Sequence, residues 1–203
     1  MRVKVYGAGS IGNHLAQASR RMGWDVVVVD PDAEALRRMR EEIYPKRYGA
    51  WDLAIQQFRL GEEPKGGFDV IFLGTPPHVR ADLARSVVAE DPKVLQCEKP
   101  ICTPDLAGMK ELAEELAKHP ATMAIDGFEY NLSGLVDGAR ETITANAFGT
   151  PQTMDVAIRE NWSGIFSAHP WLSGPADTYL GYWKKGGGAM CERRGRRECY
   201  LCH

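Results

Sequence analysis

A glycine-rich segment near the start of the chain has residue types that suit a phosphate group. The segment "GAGSIG" places Gly7, Gly9 and Gly12 at the spacing G-x-G-x-x-G. In this pattern the first glycine allows a tight turn, the second lets the backbone approach a pyrophosphate, and the third lets a helix lie close to the sheet. We predict that these glycines, with Ser10 and Ile11, bind the pyrophosphate of a dinucleotide at a helix N-terminus.

An aspartate stands where a dinucleotide site needs an acidic residue. Asp30 ends the run "WDVVVVD", at about the distance from the glycines at which a carboxylate binds the adenosine ribose. The same carboxylate would repel a 2′-phosphate, and no arginine follows at once to neutralise one. We therefore predict NAD as the cofactor and disfavour NADP. A glycine-rich turn in another α/β protein is the weaker alternative, because strand, loop, helix, strand and acid follow in the required order.

A Glu-Lys-Pro sequence supplies groups that could move a proton. When an alcohol is oxidised, a hydride goes to the nicotinamide and a proton leaves the hydroxyl, so a nearby group must accept that proton. Lys99 is our candidate catalytic residue, because its ammonium form also stabilises a developing alkoxide. Glu98 would position the lysine or the cofactor, and we expect both Glu98 and Lys99 to line the cofactor site. The alternative is a solvated turn, since exposed Glu-Lys pairs are common.

The loop "GTPPH" adds weaker candidates for the cofactor site. Thr75 and Pro76 follow a predicted buried strand, and His78 either lines the cofactor crevice or simply begins the next helix. Ligands of doubly wound sheets bind beyond the carboxyl ends of the strands. We therefore expect four loops to meet at one crevice: "GAGSIG", the loop after Asp30, "GTPPH" and "CEKP".

The elements between these loops predict an α/β fold. Apolar runs predict buried strands in "RVKVY", "VVVV", "FDVIFL", "KVLQC" and "TMAID". Apolar residues at helical spacing predict five helices: Ile11, Leu15, Ala18 and Met22; Leu36, Met39 and Ile43; Leu53 through Phe58; Val79, Leu83 and Val87; Leu106, Met109, Leu112 and Leu116. Repeated βα units of this length predict a Rossmann-type doubly wound parallel sheet over residues 1–149.

Composition indicates a protein that can bury a core and has no global charge preference. The 203 residues are 44% hydrophobic, and 25 basic residues stand against 27 acidic ones. This balance favours neither nucleic acid nor a membrane surface. No apolar run is long enough to span a bilayer, and no targeting segment is evident. We expect a cytoplasmic protein with a small-molecule substrate, and five cysteines without a secretory signal indicate reduced thiols.

Together, these motifs resemble those of the glucose-fructose oxidoreductase / inositol dehydrogenase (Gfo/Idh/MocA) family. The resembling segments are "GAGSIG", "GTPPHVRADLA", "CEKPICT", "YN" at Tyr130 and Asn131, and "GGGAM" from Gly186. The resemblance implies an NAD(P)-dependent oxidoreductase acting on hydroxyl or carbonyl groups of sugars, polyols or their derivatives. It also implies a Rossmann domain followed by an open antiparallel sheet, through which homo-oligomers could form. A non-catalytic NAD-binding sensor on the same fold is the alternative.

Residues 150–203 predict the incomplete start of an α+β antiparallel-sheet domain. The segment "QTMDVAIRE" alternates like a half-buried strand. The aromatic stretch that follows contains Trp162, His169 and Trp171. We expect these side chains either to contact a sugar or to pack against the first domain. We take His169 as a candidate catalytic residue. Because the family's second domain continues much further, the resemblance implies a truncated chain, and we expect the truncation to impair its activity.

The last residues depart from the family pattern. After the triple glycine the resemblance implies an acid and, one turn later, a histidine; here Glu192 has the acid position and Arg196 the histidine position. Glu192 is thus a candidate catalytic residue, and the terminal "ERRGRRECYLCH" predicts a truncated or frame-shifted gene. Haem attachment at "CYLCH" is disfavoured because it needs an exporting context. A zinc site is also disfavoured, because the candidate ligands are unevenly spaced: Cys191, Cys199, Cys202 and His203. We therefore predict no metal site.

Overall fold

The computed structural model describes residues 1–127, 134–146, 148–150, 152–153 and 182–186. Its strands are β1 (Arg2–Tyr6), β2 (Asp25–Asp30), β3 (Ile55–Arg59), β4 (Val70–Leu73), β5 (Val94–Cys97) and β6 (Met123–Asp126). Its α-helices are α1 (Ser10–Arg21), α2 (Ala33–Arg38), α3 (Tyr44–Tyr48), α4 (Pro77–Val88), α5 (Met109–Leu116) and α6 (Gly134–Thr144). A π-helical turn at Met39–Ile43 joins α2 to α3, and a 3-10 turn covers Trp183–Lys185.

The strands form one parallel sheet in the order β3-β2-β1-β4-β5-β6. The chain proceeds outward from β1 to β3, then crosses back to continue from β4 on the other side of β1. The order therefore reverses between β1 and β4, where a doubly wound sheet opens a ligand crevice at its carboxyl edge. The fold is the predicted Rossmann-type α/β sheet.

Two apolar layers cover the two faces of this sheet. Alternation along β2 assigns its valines to opposite layers, because successive side chains of a strand point to opposite faces. Val26 and Val28 join the layer that contains Ala16 of α1, whereas Val27 and Val29 join the layer that contains buried residues of α4. The helices are thereby held on both faces, which leaves the carboxyl edge of the sheet to the loops.

The helix predicted from Leu53 through Phe58 is wrong, because this segment forms β3. Residues Ile55–Arg59 pair in parallel with β2, and Leu53 is 91% exposed. The three-residue spacing of Ile55 and Phe58 suits one face of a helix. It also suits a strand whose two faces are both covered, since the two side chains join opposite layers of the sheet. The outer edge of β2 needs hydrogen-bond partners, so pairing with β2 decides the structure.

Helices form at the other predicted positions, but some buried faces differ from the predicted stripes. Ala18 is exposed and Met22 follows the end of α1, where it is 66% exposed. The buried residues of α1 are small or polar: Gly12, Asn13, Ala16 and Ser19. Val79 in α4 is 42% exposed, and Leu106 lies before α5 and is 65% exposed. The sequence prediction assigned large apolar residues to the buried helix faces, whereas a helix packed closely against the sheet buries small residues.

The chain divides into two compact units, Met1–Gly127 with Ser173–His203, and Phe128–Leu172. In the second unit the structure describes α6, whose Arg140 donates to Asp137 at 3.1 Å on the helix surface. Among the described residues, no helix combines the length and apolar character that crossing a bilayer requires.

Candidate cofactor and active site

One row of strand residues brings the predicted site loops to the same edge. Inter-strand pairing aligns five residues across the sheet: Val29, Tyr6, Leu73, Cys97 and Asp126. The next residue along each strand is Asp30, which ends β2, or a residue that begins a loop: Gly7, Gly74, Glu98 and Gly127. The glycine loop, the acid, the "GTPP" loop and the Glu-Lys-Pro loop therefore start side by side.

The glycine loop lies directly against the loop after β4. A Cβ atom on Gly7 would lie 3.0 Å from the carbonyl oxygen of Gly74, and one on Gly74 would lie 2.7 Å from Cγ2 of Ile11. The Gly7 amide donates to the carbonyl of Val29 at 2.8 Å, and the Gly74 amide donates to that of Tyr6 at 2.8 Å. Glycine at both positions is what lets the two loops touch.

Gly12 and Gly9 face different surroundings. A Cβ on Gly12 would lie 1.8 Å from the carbonyl oxygen of Gly7, so α1 could not approach the loop with a side chain there. A Cβ on Gly9 would meet no atom within 4 Å. Helix α1 begins at Ser10 with neither a side-chain cap nor an acidic residue in its first turn. Its first amides and its positive dipole end thus suit a phosphate group placed beside Gly9.

Asp30 is held against the glycine loop by backbone donors. The amide of Ala8 donates to Asp30 Oδ2 at 2.8 Å, and the amide of Asp32 donates to Oδ1 at 2.9 Å. Burial raises the pKa of Asp30, while the two backbone hydrogen bonds act in the opposite direction. Each carboxylate oxygen has a further lone pair, so the group can still accept from ribose hydroxyls.

The Glu-Lys-Pro loop leaves β5 between the ends of β4 and β6. The amide of Glu98 donates to the carbonyl of Leu73 at 3.1 Å, and the amide of Gly127 donates to that of Cys97 at 2.7 Å. Glu98 and Lys99 are half-buried, and the peptide bond after Lys99 is cis. Both residues therefore lie in the loop cluster at the carboxyl edge.

Arg80 is a residue of this cluster that the sequence analysis did not identify. Its side chain in α4 is 3% exposed. Nη1 donates to the carbonyl of Glu98 at 2.5 Å and to that of Pro100, and Nη2 donates to the carbonyl of Thr75. The available signal was a charged residue at helical spacing with the buried alanines of α4.

Two further polar residues support the glycine loop. Asn13, fully buried in α1, donates to the carbonyls of Ala8 and Gly9 at 3.3 and 2.9 Å. Arg47 of α3 reaches Ser10, where Nη1 donates to Oγ at 2.8 Å and to the carbonyl at 3.3 Å. The fingerprint spacing does not include residues that brace the loop from outside, which is why these two were missed.

The remaining predicted residues differ in exposure. Thr75 is half-buried, and its Oγ1 is a buried atom for which the described residues provide no partner. Pro76 is exposed, and His78 is the exposed second residue of α4. An unsatisfied hydroxyl beside the glycine loop fits a site that takes a polar ligand. Within the described ranges, no group of three or more His, Cys, Asp or Glu side chains is arranged to hold a metal ion.

Several predictions concern residues outside the described part of the chain. They are the strand predicted after Pro151, of which the structure describes only residues 152–153, the candidates His169 and Glu192, and the neighbours and motif residues cited with them: Tyr130, Asn131, Trp162, Trp171, Arg196 and the terminal cysteines. The domain boundary at residue 150 also stays a prediction.

Comparison with known proteins places these features in a family context. Residues 1–126 match the model of a family described as an oxidoreductase family with an NAD-binding Rossmann fold. Among solved structures, the chain is similar to a UDP-N-acetylglucosamine 3-dehydrogenase from Acidithiobacillus ferrooxidans, with 19% identity and a TM-score of 0.52. That match covers 70% of this chain and 41% of the other. At this identity it shows a shared fold.

Two other solved dehydrogenases have lower structural similarity. L-tryptophan dehydrogenase from Nostoc punctiforme has 14% identity and a TM-score of 0.42, over 70% of this chain and 38% of that one. (S)-3-hydroxybutyryl-CoA dehydrogenase from Ralstonia eutropha has 13% identity and a TM-score of 0.44, over 74% and 62%. This chain thus spans less than two thirds of the length of each of these proteins. Curated protein sequences gave no significant match.

Proposed function

Because the chain belongs to the Gfo/Idh/MocA oxidoreductase family, whose domain binds NAD, we propose that it oxidises or reduces a sugar, polyol or sugar derivative. The observation that carries this proposal is the meeting of the glycine loop, Asp30 and the Lys99 loop at one edge of the sheet. The sugar class rests on the motif resemblance, in which Glu-Lys-Pro is the most specific segment.

In the proposed binding mode, the first turn of α1 holds the pyrophosphate. The amides of Ser10 and Ile11 have no carbonyl partner within the helix, since the first turn of any helix lacks them. The space beside Gly9 admits the phosphates, and Asp30 accepts from the ribose hydroxyls. NAD, when bound, supplies the nicotinamide that takes the hydride.

In the proposed chemical step, Lys99 handles the proton of the reacting hydroxyl. Its amine accepts this proton while the hydride leaves carbon, and in reduction its ammonium returns the proton to the carbonyl oxygen. The ammonium also stabilises the alkoxide character of the transition state. Glu98 positions the lysine. His169 and Glu192 are further proposed catalytic groups, supplied by the proposed second domain, residues 150–203.

A substrate survey with a matched lysine control tests this proposal. The chain is mixed with NAD and a panel of sugars and inositols, and NADH formation is followed by absorbance. We expect turnover of at least one panel member and a loss of about 100- to 10,000-fold in Lys99→Met, the range for a general acid–base group. Lys110→Met is the control, because Lys110 is 84% exposed on α5.

The survey also separates the enzyme from the sensor alternative. If the chain binds NADH but turns over no member of the panel, the result favours the non-catalytic sensor over the enzyme. If Lys99→Met is as active as Lys110→Met, the proton role of Lys99 is wrong even though the chain is an oxidoreductase.

A further inference from the structure

The position of Arg80 is unusual for a charged side chain. It lies on the buried face of α4, whose other buried residues are apolar: Pro77, Ala81, Ala84, Val87 and Val88. An arginine is almost never fully buried unless its charge is paired or hydrogen-bonded. The apolar packing of α4 therefore does not explain why Arg80 is buried. The explanation must come from the contacts of its guanidinium group.

Those contacts connect two loops of the candidate site. One nitrogen, Nη2, donates to the carbonyl of Thr75 in the loop after β4. The other, Nη1, donates to the carbonyls of Glu98 and Pro100 in the loop after β5. Arg80 thus joins a loop proposed to bind the cofactor to the loop that carries the proposed proton-handling residue.

The two acceptors in the second loop lie on either side of Lys99. Because peptide units are planar, the backbone between the carbonyls of Glu98 and Pro100 turns only about a few soft dihedral angles. Holding both carbonyls on one rigid guanidinium restricts those angles, and with them the direction of the Cα–Cβ bond of Lys99. A planar guanidinium, which presents donors on two separate nitrogens, suits this arrangement better than the compact ammonium of a lysine.

We propose that Arg80 is a positioning residue, which fixes the backbone on both sides of Lys99 relative to the cofactor loop at Thr75. This inference rests on the proposed function of Lys99. It assigns to Arg80 no contact with substrate or cofactor. Its effect on the reaction passes entirely through Lys99.

Chemical labelling tests the positioning without any substrate. The folded chain is treated briefly with acetic anhydride, and the acetylation rates of Lys99 and Lys110 are compared by peptide mass spectrometry. Arg80→Ala should change the rate at Lys99 at least threefold and leave Lys110 unchanged. Arg80→Lys keeps a cation and can serve part of the acceptor set. Its acetylation rate at Lys99 should lie between those of the parent chain and Arg80→Ala. An unchanged rate at Lys99 in a folded Arg80→Ala variant overturns the inference.

A double-mutant cycle then tests the consequence for the reaction. With a substrate from the survey, Arg80→Ala should lower kcat tenfold or more, since misplacement by about 1 Å can cost 100-fold. In a Lys99→Met background the same substitution should lower kcat less than twofold, because the group it positions is gone. Guanidinium ion at millimolar concentration should restore part of kcat in Arg80→Ala and none in Lys99→Met.

The controls keep this result distinct from failure of the proposed function. Arg85→Met, in the same helix but 44% exposed and paired with Asp82, should match the parent chain in labelling and kcat. If Arg80→Ala lowers kcat by the same factor in the parent chain and in Lys99→Met, and guanidinium ion restores none of it, Arg80 only supports the fold. A parent chain that lacks turnover contradicts the proposed function alone, and the labelling result still decides the role of Arg80.

Discussion

Gly12 gives the sharpest structural prediction, because the space available to a side chain there can be measured. In Gly12→Ala the new Cβ would lie 1.8 Å from the carbonyl oxygen of Gly7 and 2.9 Å from its carbonyl carbon. Ordinary contact would require α1 to move away from the loop by about 1.2–1.6 Å. Both clashing atoms belong to the backbone, so no side chain can rotate to relieve the contact.

The expected cost follows from this overpacking. Forcing extra methyl groups into a packed region costs about 1–3 kcal/mol, and each kcal/mol lowers the melting temperature of a chain of this size by about 2–4 °C. Gly12→Ala should therefore melt about 2–12 °C lower than the parent chain. Its affinity for NADH should fall as well, because the displaced helix carries the amides that we propose bind the pyrophosphate.

Gly9→Ala is the matched control for this measurement. Its Cβ would meet no atom within 4 Å, and its φ of −77° suits alanine. The free energy of unfolding of Gly9→Ala, measured by thermal melts followed by circular dichroism, should differ from that of the parent chain by less than about 1 kcal/mol. NADH titration should show weaker binding. The bulkier Gly9→Val should abolish binding without unfolding the chain. If Gly12→Ala melts with the parent chain, or if Gly9→Val binds NADH normally, the two glycine roles are wrong.

Three other substitutions test separate parts of the account. Asp30→Ala should narrow the preference for NADH over NADPH in competitive binding, because ribose acceptors are lost and repulsion of the 2′-phosphate is relieved; tighter NADPH binding by the parent chain would contradict the assignment. Arg47→Ala should weaken NADH binding severalfold, because Ser10 loses the donor that holds it, whereas Lys46→Ala should not. Hydrogen bonding to Asp91 raises the pKa of His119, so its protonated form stabilises the fold below its usual pKa of about 6.5. This contribution is lost as pH rises through the raised pKa, so His119→Gln should lower the melting temperature at about pH 6 and make little difference at about pH 9.

The sheet could be predicted where burial dominates the sequence. The four consecutive valines of β2 are apolar and β-branched, which favours a strand covered on both faces, and the site loops follow the carboxyl ends of such strands. β3 could not be predicted from its own residues, since Ile55 and Phe58 suit either structure. Its strand pairing comes from β2, which lies elsewhere in the chain.

The candidate site shows the same division. The glycine spacing and Asp30 could be predicted directly from the sequence, because the dinucleotide pattern specifies the type and spacing of each of these residues. Arg80 leaves no such pattern, because its partners are carbonyl groups of Thr75, Glu98 and Pro100, and every residue type has a carbonyl. Residues that act on the backbone of distant loops are identified only once the fold brings those loops together.

Transfer of deuterium tests the central claim most directly. The chain is incubated with NAD and, in turn, with each member of the sugar and inositol panel carrying deuterium on the carbons that bear hydroxyl groups, and the NADH formed is analysed by mass spectrometry. The account predicts NADH with one deuterium from the parent chain and from Lys110→Met, and label formed at least about 100-fold more slowly in Lys99→Met. Bound NAD that acquires no deuterium from any panel member would contradict the claim that this chain transfers hydride.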